Sequence, residues 1–457
     1  MADGANIKLM PLAKSPGFFE RLKMLDYQNC ENWLAYLQSL FGRYGDVIRL
    51  SFLGHHLFAI RNPEDFDKIF KQALFEKKGD FHRYHHLLMG DGLVTSSGNE
   101  RWKQTRRVLQ PHYTNKRLKG YVTQMVASSE KMFEGWDKHV EAGEHFDAHH
   151  FVRDLTLDIN LKCLLVNDFD PYVEAFHKIM DDIMDPPSFF DLAMPKWIPT
   201  LEYFKYKKIV DFLDKVIYEV VEKRGGKASE NGDYLDSLLD LHIEDPELMP
   251  LKSVRDEVVT LLIAGHETTS SALAWAMHLL TQHPDKAAKL GEEADRVLGG
   301  RAPTLEDLDK LVYAGHVANE AMRMYPPIMI FIPRTATEDT ELSGTRVPKG
   351  SQIFMFPYCA HRHPDVWKNP DTFDPDRYED ADSAKVIRLS LMPFASGRRK
   401  CAGALFATYE MKIMLAMMAQ RYHTKSSGKV KVEPTMVNGA LAPKNGIWLE
   451  ATHRKES

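Results

Sequence analysis

The sequence predicts a mainly α-helical protein, a large helical body with a small β-rich lobe. Three observations predict it. Apolar residues recur at helical spacing, as at Ile209, Leu213, Val216 and Val220 and again at 411, 414, 415 and 418. Residues that favour strands gather in short runs bounded by Gly, Asn and Pro, mostly within 45–62, 328–358 and 430–450. The 457-residue chain is 44% hydrophobic and 27% charged, the make-up of a folded globular protein.

The length would accommodate two or three average domains, but large single domains also exist, and one domain over residues 1–457 is expected. A formal net charge of −5 offers no general affinity for nucleic acid or lipid. The cysteines, at 30, 163, 359 and 401, do not form a disulfide framework and point to a reducing compartment, the cytoplasm. No apolar run approaches the ~18 residues needed to cross a bilayer. The start, Met1-Ala2-Asp3-Gly4, lacks the charged and apolar regions of a signal peptide.

Taken in order, residues 1–30 read as an irregular arm, and Asn32 to Phe41 as a helix. Val47 to Ile60 reads as a hairpin around Gly54-His55-His56. Asn62 as N-cap and Pro63 as first helical residue open a helix to about Gln72. Lys77 to Gly98 reads as a long loop with a short helix. Its His82, His85 and His86 lack the regular spacing to a fourth ligand that a metal site needs. Trp102 and Arg106 share one face of the next helix with Lys103 and Arg107 nearby, which by itself describes a basic surface helix with a buried indole. Successive helices fill 118–225, interrupted between about Asp181 and Pro199 by a proline-rich apolar connector; 224–233 is a polar loop.

Ser253 with Asp256 resembles a capping box, so a helix is expected to start there. It continues through Ala264-Gly265-His266-Glu267-Thr268-Thr269. A glycine and two threonines inside an apolar helix are locally unfavourable, and a threonine hydroxyl can bond the preceding turn and bend the helix. Such departures gather at functional sites. Glu320 and Arg323 stand three apart, a common and weak pairing on exposed helices. Tyr325-Pro326-Pro327 stops that helix at once. An apolar run from Ile328 to Ile332 then leads to Pro333-Arg334, and Met436 to Leu441 forms a turn around Asn438-Gly439.

The chemistry concentrates at Phe394-Ala395-Ser396-Gly397-Arg398-Arg399-Lys400-Cys401-Ala402-Gly403. A lone cysteine lies just before a helix N-terminus, among cations, where dipole and charge favour a thiolate. Such a thiolate can be a nucleophile, a redox thiol or a metal ligand. The absence of a second Cys or His at suitable spacing weighs against zinc or a redox pair. The bland alternative is a capped surface helix with an incidental cysteine.

The full pattern F-x-x-G-x-R-x-C-x-G resembles the haem-binding loop of the cytochrome P-450 family, whose thiolate ligates haem iron and favours O–O cleavage. The resemblance runs from about residue 30 to 450. It implies that fold, and Cys401 as the axial ligand of haem b (iron protoporphyrin IX). Phe394 would shield the sulfur, and Gly397 and Gly403 would let the loop pass close to the macrocycle. Arg399, Trp102, Arg106 and Arg334 would hold the haem propionates. The A-G-x-E-T pattern implies that Gly265 opens a groove over the haem beside Ala264. Thr268 would orient a hydrogen bond to dioxygen, and Glu267 would help relay protons. Glu320, Arg323 and Arg377 would form a buried structural network. Ala264, Ile328, Ile330, Val437 and Leu441 would line a hydrophobic substrate pocket, with the 181–199 connector as a lid.

The implied activity is a monooxygenase that hydroxylates or epoxidises a hydrophobic substrate, acting as a monomer. Its electrons would come from NAD(P)H through a separate ferredoxin and reductase or a flavoprotein, docking near Arg398 and Lys400 with Lys103 or Arg107, unless these form an ordinary solvated basic surface. A peroxide-driven peroxygenase, a haem isomerase or dehydratase, and a non-enzymatic haem sensor are the alternatives.

Overall fold

One helix organises the molecule. In the computed structural model, which describes residues 10–23, 30–50, 56–77, 83–98, 100–182, 198–226, 232–380, 387, 389–437 and 440–454, it spans Leu251–Gln282. Its 32 residues extend about 48 Å at 1.5 Å per residue. From Ser253 to Met277 every residue is buried except Ala264, Gly265 and Thr268. A helix apolar around its circumference belongs in a core, and three residues open to space in the middle of one require a reason.

In chain order the principal helices are α1 (Cys30–Tyr44), α2 (Pro63–Lys71), α3 (Arg83–Met89), α4 (Glu100–Leu109), α5 (Asn115–Ala142), α6 (Ala148–Asn160), α7 (Val173–Asp182), α8 (Leu201–Lys223), α9 (Tyr234–Glu244), α10 (Leu251–Gln282), α11 (Pro284–Leu298), α12 (Val312–Met324) and α13 (Ala404–Arg421). Helix α10 packs on α6, α12, α9 and α8, and α13 packs on α5, α11 and α12. Asn62 caps α2 by accepting from the N–H of Glu64 at 2.9 Å, with Pro63 at the first position.

The main sheet joins β1 (Val47–Arg49), β2 (Leu57–Ile60), β3 (Phe75–Glu76), β5 (Phe331–Ala336) and β8 (Gln352–Met355) in the order β1-β2-β8-β5-β3. Only β2 and β8 run parallel within it. Strand β4 (Phe146–Asp147) pairs with β12 (Trp448–His453), which pairs with β9 (Tyr422–Ser426). Strands β6 (Thr340–Leu342) and β7 (Thr345–Val347) form a hairpin, as do β10 (Pro434–Val437) and β11 (Ala440–Pro443).

Four readings need correction. The arm before residue 30 contains a short helix, Phe18–Lys23, and a bridge from Leu12 to Arg346. Helix α10 starts earlier than Ser253, after Pro250, with no side-chain cap. Ser253 accepts from Arg101 at 3.0 Å instead, and Asp256 accepts from the N–H of Asp91 at 3.1 Å. Helix α9 was not anticipated; it opens on a reciprocal pair in which the N–H of Asp236 donates to Asp233 at 2.8 Å and the reverse bond is 3.2 Å. An aspartate in both roles lacks the Ser/Thr…Glu signature.

The fourth concerns the proposed pocket lining. Leu441 is fully buried in the core under α1, and its carbonyl accepts from the Trp275 indole at 2.8 Å. Val437 is 1% exposed. Neither faces open space. The bonds that dock the β10–β11 hairpin explain this: the N–H of Leu441 donates to Pro327 at 2.8 Å, and Ile328 bridges Ala440. Asn438-Gly439, Gly54-His55, His82 and most of the 181–199 connector lie outside the described residues.

Candidate haem-thiolate site

The cysteine loop is shaped by its own backbone. The N–H of Cys401 donates to the carbonyl of Phe394 at 2.9 Å, closing the loop. Ala395 has φ +55°, unusual for a residue with a side chain. Gly397 has φ +67°, and a Cβ there would lie 2.4 Å from the carbonyl oxygen of Phe70 on α2. Glycine at 397 is therefore demanded by the chain itself. At Gly403 the nearest atom to a Cβ is 3.7 Å away on Tyr113, an ordinary contact.

Cys401 is accessible and sits two residues before Gly403, the N-cap of α13. The sulfur is open to the site but is flanked by protein, and that desolvation pushes its thiol pKa up, while the N–H of Gly403, Arg106 and Lys400 pull it down.

A cationic collar lies beside the loop. The Arg399 guanidinium is 4.3 Å from the centre of the Trp102 ring. Arg106 donates to the carbonyl of Lys400 at 2.8 Å, so α4 grips the loop. Arg334 is 7% exposed and donates to the carbonyl of Ile332 at 2.7 Å. A shift of register between Phe331 and Arg334 in the β5–β8 ladder aims it. Lys77, which the sequence did not mark, joins them and donates to the carbonyl of Val94.

Burial and then Arg399 and Arg334 push the Lys77 ammonium down to about 6. Burial and then Arg399 bring Arg334 to about 10, and burial and then Arg106 bring Arg399 to about 10. Asp91, the carboxylate that acts on Lys77, is already paired with Arg101. Buried cations that repel one another are tolerated when anions join them. Two carboxylates at the edge of a flat ligand fit this collar, and an accessible thiol fits its metal. The chemistry of the donor set therefore suits haem.

On α10, Thr268 donates from Oγ1 to the carbonyl of Ala264 at 2.8 Å, one turn back. Glu267 does not emerge beside it. It is buried, 3.4 Å from Arg153 of α6 and 3.4 Å from Nε2 of His266. His266 is fully buried and held uncharged by desolvation; its Nδ1 is 3.0 Å from the hydroxyl of Thr156. A Cβ at Gly265 would lie 2.6 Å from the amide nitrogen of Asn160 on α6, so that side chain crowds the position.

Glu320, Arg323 and Arg377 meet. Arg323 donates twice to Glu320, at 2.8 and 2.9 Å, and both side chains are fully buried. Arg377 and the N–H of Asp374 each donate to the same carboxylate at 3.0 Å, and Tyr378 at 3.1 Å. Arg323 also reaches the carbonyls of His361 and Pro370 at 2.9 and 2.7 Å. Along the run after α12, Ile328, Ile330 and Ile332 stay partly exposed while Met329 and Phe331 are buried, so one face looks into open space.

Fold and site together define a haem-thiolate oxygenase. The chain belongs to the cytochrome P450 family, whose family model matches residues 15–450. It is 32% identical over 410 residues to cyclooctatin synthase of Streptomyces melanosporofaciens, covering 88% of this chain and 87% of that protein. It is 30% identical over 398 residues to cyclooctat-9-en-7-ol 5-monooxygenase of the same organism, covering 86% and 85%. Pentalenene oxygenase of Streptomyces avermitilis is 28% identical over 420 residues, covering 90% and 91%. The protein is thus a monooxygenase with a haem cofactor. No helix among the described residues is long and apolar enough to cross a membrane.

Proposed function

We propose that this chain inserts one atom of dioxygen into a neutral, apolar substrate of terpenoid type, by hydroxylation or epoxidation, with NAD(P)H electrons delivered by a separate carrier. The observation that carries the reading is the accessible Cys401 beside buried cations that lack a matching carboxylate among the described residues. When bound, the haem supplies dioxygen activation and transfer of one oxygen atom, with two electrons and two protons consumed and water formed. Cys401 would hold the iron. Arg399, Arg334, Lys77, Trp102 and Arg106 would hold the propionate edge.

The remaining work belongs to side chains. Ile328, Ile330 and Ala264 offer apolar surface and no charge, which supports a hydrophobic substrate. Relatives named for an alkene and for an alcohol support the terpenoid class. Thr268 can turn its hydroxyl from the Ala264 carbonyl and donate toward the reacting oxygen. Glu267 can move protons only by loosening from Arg153. Arg153 also lines a cleft of about 530 Å³ with His145, His149 and His150, so solvent reaches that side. Arg398, Lys400 and Arg107 are exposed and suit an acidic electron donor, and the enzyme acts as a monomer.

A spectral binding screen of terpenoid alkenes and alcohols against fatty acids and steroids tests the substrate class. Product analysis with NAD(P)H and a surrogate carrier should give the substrate plus one oxygen atom. Equal product with hydrogen peroxide alone, or an isomerised product without reductant, would replace this reading.

A further inference from the structure

Three side chains on one stripe of α6, Arg153, Thr156 and Asn160, reach across to α10. They meet Glu267, His266 and the turn at Leu261, so the two helices run past each other in opposite directions. Asn160 is the most intrusive. It is 1% exposed, and its amide donates to the carbonyl of Leu261 at 2.9 Å and lies 3.5 Å from that of Leu262. In a regular helix the Leu261 carbonyl serves the N–H of Gly265. The same amide fills the space where a Gly265 side chain would begin, with Cγ 2.9 Å and Nδ2 2.6 Å from a Cβ position. Its Oδ1 is buried without a hydrogen-bond partner among the described residues. A π-helical turn, Leu161–Leu165, follows at once and ends α6.

Thr268 follows Gly265 by three residues on the neighbouring face of this turn, and its hydroxyl occupies the carbonyl of Ala264. Side-chain donors therefore compete for helix carbonyls at both ends of one turn, Asn160 at 261 and Thr268 at 264. We infer that Asn160 is a positioning residue: wedged against Gly265, it sets the backbone of α10 at this turn and thereby places Ala264 and Thr268. Glycine at 265 then answers to Asn160. This inference rests on the role given to Thr268 above.

The test is a double-mutant cycle on the haem-loaded protein: Gly265→Ala, Asn160→Ala and both together. Gly265→Ala alone should lower the thermal midpoint by at least about 5 °C, and by less than about half as much once Asn160 is Ala. An equal loss in both backgrounds overturns the inference, as does failure of the double variant to fold where Asn160→Ala folds. Carbon monoxide bound to the reduced protein supplies a second readout that fold stability does not move. Its infrared stretch should shift in Asn160→Ala, and an unshifted band also overturns the inference. Thr268→Ala is the control for the parent reading. If it shifts the band and Asn160→Ala does not, only the wedge fails; if Thr268→Ala leaves the band unmoved, the role of Thr268 fails.

Discussion

The guanidinium of Arg399 lies over the Trp102 ring at 4.3 Å, so the cysteine loop and α4 are joined by a cation resting on an indole. The stack orients Arg399, and Lys77 and Arg334 share its surroundings. Arg399→Leu and Lys77→Met are each expected to speed transfer of haem to a haem-free acceptor protein by about tenfold, the equivalent of about 1.4 kcal/mol. An unchanged transfer rate for Lys77→Met would remove it from the collar.

Glu320 and Arg323 should behave as one unit of folding. Removing either partner leaves a charge buried without compensation, which costs about 3–5 kcal/mol. Glu320→Leu and Arg323→Leu are expected to give little soluble, haem-loaded protein. Arg377→Met should be milder, because Arg323 still engages both oxygens of Glu320. Chemical denaturation of the three variants checks the order.

Thr268→Ala should leave spectral binding of substrate intact and divert electrons to hydrogen peroxide. A fall of about tenfold in product per NAD(P)H is expected, in keeping with loss of one proton-managing group. Full coupling in that variant would contradict the role of the hydroxyl.

Glu257 provides a pH test independent of haem chemistry. It is 3% exposed, and burial pushes its carboxyl up to about 8, against which the N–H of Leu93 donates at 3.1 Å. The folded chain keeps a proton that the unfolded chain releases between its ordinary value of 4.5 and about 8. Stability linked to Glu257 therefore falls as pH rises through that window. The thermal midpoint should decline from pH 5.5 to pH 8 more steeply in the parent than in Glu257→Gln. Parallel curves would show that Glu257 ionises normally.

Reversal of charge at Arg398 and Lys400 should slow reduction by an acidic carrier by about tenfold at low salt, with the difference shrinking as salt rises. Stopped-flow reduction checks this, and substrate spectra should not change.

Much of the site was legible because its residues cluster in sequence. The Cys401 loop, the 264–268 turn and Glu320–Arg323 are local patterns whose chemistry can be read without a fold. What was missed depends on distant partners. Lys77 sits in a charged stretch that looks solvated, and only the approach of Arg334 and Arg399 makes it unusual. Asn160 and Arg153 lie on an ordinary amphipathic helix and gain meaning from α10. Glycine at 265 also answers to Asn160, whose side chain would meet a Cβ there, and that neighbour lies 105 residues away in the sequence. Leu441 follows an Asn-Gly turn that could point anywhere, but bonds to Pro327 and Trp275 hold its strand in the core.

The central claim is that Cys401 holds the iron of a haem. Reduced protein exposed to carbon monoxide should show the strongly red-shifted Soret band of a thiolate-ligated haem, and Cys401→Ser should abolish it while the chain remains folded. A folded parent protein without that band, or a serine variant that keeps it, would contradict the account.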